Sequence, residues 1–503
     1  MRKTMILLLF SFLLAACSDS PVCYYLDATG GDDNNSGLAP DEAWKSLEKL
    51  RGVKLLPGNK VLLKRGEVFN GELEITGQGI PEDRIYIDAY GDDERKPCIV
   101  GYDTSLYAAR ICNSDYITMQ NLEIVNTGRQ PLPYRSGLKI ECMDYGVSQN
   151  IVVNNVTVRD VNGSLVKEKG GGCGIYIVNG GEKKISTFNR LTIENCHILR
   201  CTRNAMIWAA YSDRQNWHPS KHTVIRGNLI EEVPGDGIVP IGCDSTLIEY
   251  NVMRDCPDML PDTEAAAGIW PWSCDNTLVQ FNEVSGHKAP WDAQGFDSDW
   301  NCRGTVIQYN YSHDNYGGLV LVCNDGTADA SFNVGNLGTI VRYNVSIGDG
   351  VRPEPTRAGM FSPAVHLAGP VKDSRITRNI IHVNRKPAAD IDRTMITLDS
   401  WGGYPDSTFI SGNIFYAPES SRFQLTESTH FFEGNYYLGR FEKLPEDGKA
   451  CQSAEIYQKE VLAKDENGYQ GLALLMDTVE VTGVKGVFVN KEAIENFFSR
   501  LEK

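Results

Sequence analysis

The sequence predicts an all-β solenoid: a single-stranded right-handed parallel β-helix with an N-terminal helical cap and a small α/β C-terminal cap. Three observations carry the solenoid. Short alternating strands recur, each leading into an asparagine: ITMQNLEI, VVNNVTV, LTIENCHI, TVIRGNLI, TLIEYNVM, TLVQFNEV, TVIQYNYS, TIVRYNVS, RITRNIIH and TFISGNIF. Those asparagines (Asn121, Asn155, Asn195, Asn228, Asn251, Asn282, Asn310, Asn344, Asn379 and Asn413) are spaced by 23 to 40 residues. A coil of that length cannot bury a core alone, so neighbouring coils must stack. Apolar residues alternate with period two rather than 3.6. The regularly spaced Asn-Gly turns of an antiparallel sandwich are scarce.

Residues 1–16 read as a lipoprotein signal peptide. Met1-Arg2-Lys3 is basic, an apolar run reaches Leu14, and small residues follow. Leu14-Ala15-Ala16-Cys17 resembles a bacterial lipobox, which implies cleavage before Cys17 and lipid attachment to its sulfur. Residues 17–23 then form an anchor and linker. The expected location is that of an exported bacterial lipoprotein, at the outer membrane or cell surface, with the periplasmic face as the other setting. The net charge of -16 argues against nucleic acid as a partner, since nucleic-acid binding selects basic stripes. Thirteen cysteines follow Cys17. They lack zinc-site spacing and read mostly as small buried apolar residues, with an occasional disulfide between neighbouring coils.

Residues 24–439 form the β-helix with its N-terminal cap. Over 24–50 a strand, a polar turn and a helix are expected, with Asp41 as N-cap and Trp44, Leu47 and Leu50 as the apolar face. Such a lid covers the open end of a solenoid. This opening, with GNKVLLKRG at 58–66 and IYIDAYG at 85–91, resembles the entry of secreted right-handed β-helix proteins that act on polysaccharides. From Ile117 the asparagine-marked coils take over. Each asparagine is expected at a left-handed bend, its amide bonding the next one along the stack. Residues beyond the minimal coil form loops at 128–136, 162–171, 209–221, 257–266, 286–293, 324–337 and 350–362, where function concentrates. Residues 440–503 lose the repeat and form the C-terminal cap, with EIYQKEVLA and KEAIENFFSRLEK helical.

Four strands begin after a glycine: DGIVPIG, AGIWPWS, QGFDSDW and GGLVLVC. If Ile238, Ile269, Phe296 and Leu319 point inward, the outward pairs are Val239 and Ile241, Trp270 and Trp272, Asp297 and Asp299, then Val320 and Val322. A weaker alignment extends this face to Lys139 and Glu141 on one side, and to His366, Thr397 and Asp399 on the other. Crowded carboxylates cannot all ionise easily. A raised acid beside an ionised base is what glycoside cleavage requires. Tryptophan faces suit the apolar face of a sugar ring.

Closely spaced aspartates on a β-helix strand resemble the polygalacturonase-like glycosidases, within the wider group that includes pectate-lyase-like enzymes. The resemblance implies carboxylates on neighbouring coils sharing the work. Here Ser298 separates the two aspartates, and His313 stands in SHDN. The expected function is therefore hydrolysis of a glycosidic bond in a complex polysaccharide or oligosaccharide. Asp297 or Asp299 is the acid or base, and Asp325, Asp236 or Asp292 is its partner. Trp270, Trp272, Trp291, Asp292, His313 and His366 are the candidate substrate contacts. No cofactor is required, although calcium suits the paired carboxylates as an alternative occupant. Two other readings stand. A polysaccharide lyase would draw its base or counter-charge from Lys288, Arg303, Arg342, Arg352 or Arg357. A surface glycan-binding protein would need no catalysis at all.

Overall fold

A computed structural model describes residues 21–501 except 329–332, 356–358, 384–391 and 427. The signal segment 1–16, Cys17 and Arg357 lie outside the described residues. Three parallel sheets wind about one axis. The first has fourteen strands in chain order, from Cys23–Leu26 to His430–Glu433. Its central column runs Val153, Ile193, Ile225, Ile248, Val279, Ile307, Val341, Ile376 and Ile410, in register and solvent-inaccessible. Each such side chain contributes roughly 1.5–3 kcal/mol by burial. The entry strands Lys60–Lys64 and Ile85–Tyr90 form where their alternating sequences place them. The third sheet carries Ser136–Met143, Cys173–Gly180, Asn204–Ala209, Phe296–Ser298, Val320–Cys323, Val365–Ala368 and Thr394–Asp399. The second sheet carries Glu123–Asn126, Thr157–Val161, His197–Cys201, Leu229–Glu231, Val252–Arg254, Glu283–Ser285, Tyr311–His313, Val345–Ile347 and Ile380–His382, and the long strand Ile414–Gln424 turns a corner and joins it to the third.

The corner after the first sheet holds the asparagines, in two arrangements. Asn121, Asn155 and Asn195 take the left-handed bend themselves, with φ of 58°, 53° and 54°. From Asn228 onward the residue before takes the bend instead, as Gly227, Tyr250, Phe281, Tyr309 and Tyr343 do. The asparagine then occupies the inward position filled by Leu122, Val156 and Cys196 in earlier coils. This corrects the expectation that every asparagine is the bend. The expected ladder forms from this inward position. Each Oδ1 from Asn251 to Asn435 accepts both the backbone N–H and the side-chain amide of the preceding asparagine, at 2.8–3.1 Å. Asp447 closes the ladder below Asn435.

The N-terminal cap is present, but its helix shrinks to two tight turns, Pro40–Glu42 and Leu47–Leu50. Trp44 between them pairs with the first strand through Trp44 N–H to Tyr25 and Asp27 N–H to Trp44. Those strand-type bonds pull it out of helical geometry, and Asp41 caps nothing. Trp44, Leu47 and Leu50 are nevertheless buried as the apolar face. The described cysteines are free thiols, nine of them buried, so the occasional inter-coil disulfide does not form among them.

At the C-terminus, the hairpin Met476–Val481/Val484–Val489 and the helix Lys491–Leu501 run back along the flank. Tyr250, Phe281, Tyr309 and Tyr343 stack ring on ring there, at 5.1, 5.3 and 5.4 Å. Phe488 and Phe498 cover them edge-on. Among the described residues no helix is long and apolar enough to cross a membrane.

Replacing Asn310 by alanine removes the acceptor shared by the Asn282 backbone N–H and side-chain amide in a fully buried corner. The expected cost is about 3 kcal/mol, read as a lower urea midpoint. A surface asparagine such as Asn34 changed to alanine leaves the midpoint unmoved.

Candidate active site

The third sheet's outer face is built by register. Isolated bridges pair Ile238 with Ile269, Ile269 with Phe296 and Ile241 with Trp272. Trp270 and Trp272 therefore stand one rung before Asp297 and Asp299. Gly237, Gly268 and Gly295 allow the close approach at the corner. A Cβ on Gly268 would lie 2.4 Å from the Gly295 carbonyl oxygen. The next rung differs from the sequence expectation. Phe296 pairs with Val320, Asp297 with Leu321 and Ser298 with Val322. Val320 and Val322 thus point into the core, while Leu321 and Cys323 face outward beside the aspartates. The double glycine Gly317-Gly318 absorbs one extra residue and shifts the phase. His366 then follows Leu321, Ala368 follows Cys323, and Thr397 and Asp399 follow them.

Asp297 is 4% exposed and its Oδ1 lacks a hydrogen-bond partner. Burial, then the neighbouring Asp299, Asp292 and Asp236, push its pKa far above the usual carboxylate range. Asp299 is raised by burial too, but it accepts from the Trp300 N–H at 2.6 Å and the Cys323 S–H at 3.2 Å, which favour its ionised form. Of the two, Asp299 ionises first. Asp292 reaches the same cluster from the loop 286–293. Burial and then the Asp299 charge push it up to about 6. A metal would find the Asp297 and Asp299 carboxylates and the Cys323 sulfur within 4.8 Å of one another. Burial raises the Cys323 thiol, and it donates to Asp299, so it is a poor ligand. Two carboxylates are few for calcium.

Loops from distant coils roof the site. Leu260, Ala266, Ala289 and Ala293 pack together with Leu165 against them, joining the loops at 162–171, 257–266 and 286–293. The loop bearing Asp292 is pinned twice. The buried His287 Nε2–H donates to Gly235 O at 2.9 Å, and its Nδ1 accepts from Ala289 N–H. Burial lowers this imidazole to about 4, so it stays neutral. Arg352 donates to the carbonyls of Ala289, Pro290 and Asp292. Beside Asp292 a pocket of about 260 Å³ opens, lined among others by Trp291, Gln294, Phe361, His366, Asp399 and Trp401. His366 Nε2 lies 3.5 Å from Asp399 Oδ2, and its ring meets Trp401 edge-on. That contact with His366 holds the Asp399 carboxyl below its usual range.

The structure thus brings Asp292, Asp297, Asp299, Trp291 and His366 to one place, sets Asp236 and Trp270 in a buried layer against it, and places Asp325 and His313 apart. Asp236 is wholly buried behind the face. Its Oδ1 accepts from Trp270 Nε1–H and Ala267 N–H, both at 3.1 Å. Trp270 is 6% exposed, with the Lys167 ammonium over its ring, and Trp272 packs partly on the core. Neither is the open platform expected. Asp325 turns into its own loop, accepting from Thr327 N–H at 2.8 Å and the Thr327 hydroxyl at 2.6 Å. It does not lean over the aspartates. His313 lies on the second sheet, between Glu283 at 3.1 Å and Asp314 at 2.8 Å, under the C-terminal segment. Those two partners raise it to about 9 against the opposing effect of burial, which makes it a structural cation there. Sequence reasoning missed Lys167, Phe361 and Trp401 as neighbours of the site. They sit in loops, and only the aromatic character of the last two could have flagged them.

A family model described as "right handed beta helix region" matches residues 174–337. A lacto-N-biosidase from Bifidobacterium longum subsp. longum is 25% identical over 539 aligned residues, covering 88% of this chain and 32% of that protein. The chain therefore spans about a third of that relative's length. A crystal structure of GH136 lacto-N-biosidase from Eubacterium ramulus superposes with a TM-score of 0.59 at 27% identity, over 72% of this chain and 64% of that one. Its selenomethionine derivative gives 0.60 at 24% identity, over 84% and 68%. The chain is a right-handed parallel β-helix, as its sequence predicts.

Raised carboxyl groups make stability depend on pH with a definite sign. The folded state holds protons that the unfolded chain releases near 3.8. Stability from Asp292 is thus full below about 3.8 and lost as pH rises through about 6, and from Asp297 at higher pH still. Asp297→Asn removes the second penalty. Thermal melts should show it more stable than the parent at pH 8, with a flatter decline between pH 6 and 8.

Proposed function

We propose that the protein is a glycoside hydrolase acting on a complex glycan. The observation that carries this reading is the crowded trio of buried Asp297 and half-buried Asp292 and Asp299 beside a pocket walled by aromatic rings. Likeness to the lacto-N-biosidases supports it. Asp292, held near 6, is poised to protonate a leaving oxygen close to neutral pH. Asp299, with two donors on its carboxylate, is the ionised partner that acts as base or nucleophile. Asp297 keeps its proton and limits the repulsion between the other two. Trp291, Phe361 and Trp401 offer the apolar faces for a sugar ring. The buried Gln294 Oε1 and Asp297 Oδ1, both without partners, would be satisfied by sugar hydroxyls.

Asp292→Asn and Asp299→Asn should each lower kcat/KM by roughly 10²–10⁴-fold, measured on whichever member of an oligosaccharide panel the parent cleaves. The parent's kcat/KM should fall on the alkaline side with an apparent pKa near 6. Cleavage should survive chelator and release a reducing end. A product absorbing as an unsaturated uronate, lost on chelation, would replace hydrolysis with lysis. Binding without turnover by the parent would leave a glycan-binding protein.

Export as a lipoprotein anchored through Cys17 belongs to the same proposal, supported by the lipobox-like LAAC at 14–17. Cys17→Ser should abolish incorporation of labelled fatty acid and move the protein from the membrane to the soluble fraction. Labelling that persists in Cys17→Ser defeats the anchor.

A further inference from the structure

The loop 162–171 leaves the solenoid just before the strand Cys173–Gly180. From there the third sheet climbs through Met206, Ile238 and Ile269 to Phe296, four rungs on. Yet the loop brings Lys167 to the carboxylates. Its ammonium stands 5.4 Å from the centre of the Trp270 ring, within cation–π range, and that ring neighbours Asp297. The loop is fixed at this point. Lys167 N–H donates to Glu264 Oε2 at 2.9 Å, Glu264 lies 3.4 Å from the fully buried Arg203, and Leu165 packs in the apolar roof.

The charges around the site are unevenly committed. Asp236, Asp292, Asp297 and Asp299 are acidic, with Glu264 and the Cys323 thiol beside them. His366 and Asp399 pair with each other farther along the face. Arg203 serves Glu264, Asp236 and the Ala265 carbonyl. Arg352 gives its Nη donors to three loop carbonyls, and its charge joins that of Lys167 in favouring ionised Asp292. Lys167 differs: its side chain reaches solvent, and among the described residues its ammonium makes no hydrogen bond or ion pair.

We propose that Lys167 is a positioning residue for this site, its ammonium serving as the counter-charge that Asp292, Asp297 and Asp299 share. Its charge acts on all three in the same direction, favouring their ionised forms against burial. Removing it leaves each carboxyl holding its proton to higher pH, so Asp299 is ionised in a smaller fraction of molecules near neutrality. The catalytic consequence rests on the glycosidase reading, but the electrostatic one does not.

The test uses the full chain with Lys167→Met and Lys167→Arg, and two readouts. In pH profiles of kcat/KM on the glycan the parent cleaves, Lys167→Met should move both limbs upward by about half to one pH unit, and Lys167→Arg should return them to the parent position. In thermal melts from pH 4 to 9, which need no substrate, the loss of stability with rising pH starts at the unfolded-chain value in every variant and should continue to higher pH, with a larger total fall, in Lys167→Met and not in Lys167→Arg. Unmoved melts, or a melting temperature lowered equally at every pH, overturn the proposal and leave Lys167 a loop residue. If the parent cleaves no glycan while the melts shift as expected, the glycosidase reading falls and the counter-charge stands.

Discussion

One amide oxygen accepting two hydrogens, repeated down a corner, sets the geometry of this molecule. Each ladder asparagine is fully buried, so its amide cannot exchange a lost partner for water. Its oxygen takes the backbone N–H of the preceding coil as well as that coil's amide. A coil that slipped by one residue would break both bonds and turn its core residues to solvent. The ladder therefore fixes phase as well as contact. The outer face of the third sheet inherits that phase, which is how single residues from successive coils come to share one small site.

The site uses the rigidity. Three aspartates are crowded into a region that burial makes costly for charge, with a fourth behind them. Such a group persists only where the surroundings leave it no alternative arrangement. Here the strands hold Asp297 and Asp299. His287 and Arg352 fasten the loop of Asp292, whose own backbone is left-handed at φ 60°. The scaffold contributes two of the carboxylates in fixed register, and a loop contributes the third.

Much of the architecture was legible in the chain, because its signals are local. Period-two strands and the asparagines name the coils. The inward placement of Ile238, Ile269 and Phe296, and so the outward placement of Asp297 and Asp299, followed from alternation alone. The phase failed at Leu319 because Gly317-Gly318 looks like the single glycine of its neighbours while holding one more residue. The N-terminal helix failed because pairing of Trp44 with the first strand outweighed a spacing that suits either state. Asp325 and His313 are close to the site in sequence, and only three dimensions send one into its own turn and the other to another sheet. Lys167 was illegible as a site residue, and Arg352, named only as a lyase cation, was illegible as the fastener of the Asp292 loop, since loops separated by many coils meet through contacts that no local pattern encodes.

Solenoids ordinarily unravel from an exposed end, one repeat at a time. The C-terminal segment of this chain changes that order. Thr482 bonds the carbonyl of Gly227, Val487 bonds Glu283, Tyr309 bonds Glu495, and Tyr436 bonds the carbonyl of Leu501. The segment thus lies across every rung from Gly227 to Tyr436 like a clasp over a stack of plates. The last coils cannot peel away while it is fastened, and once it lifts, all of them lose the same cover together. The part of the solenoid that carries the carboxylates should accordingly open as one cooperative block rather than fray, keeping the pocket shaped until the clasp itself gives way.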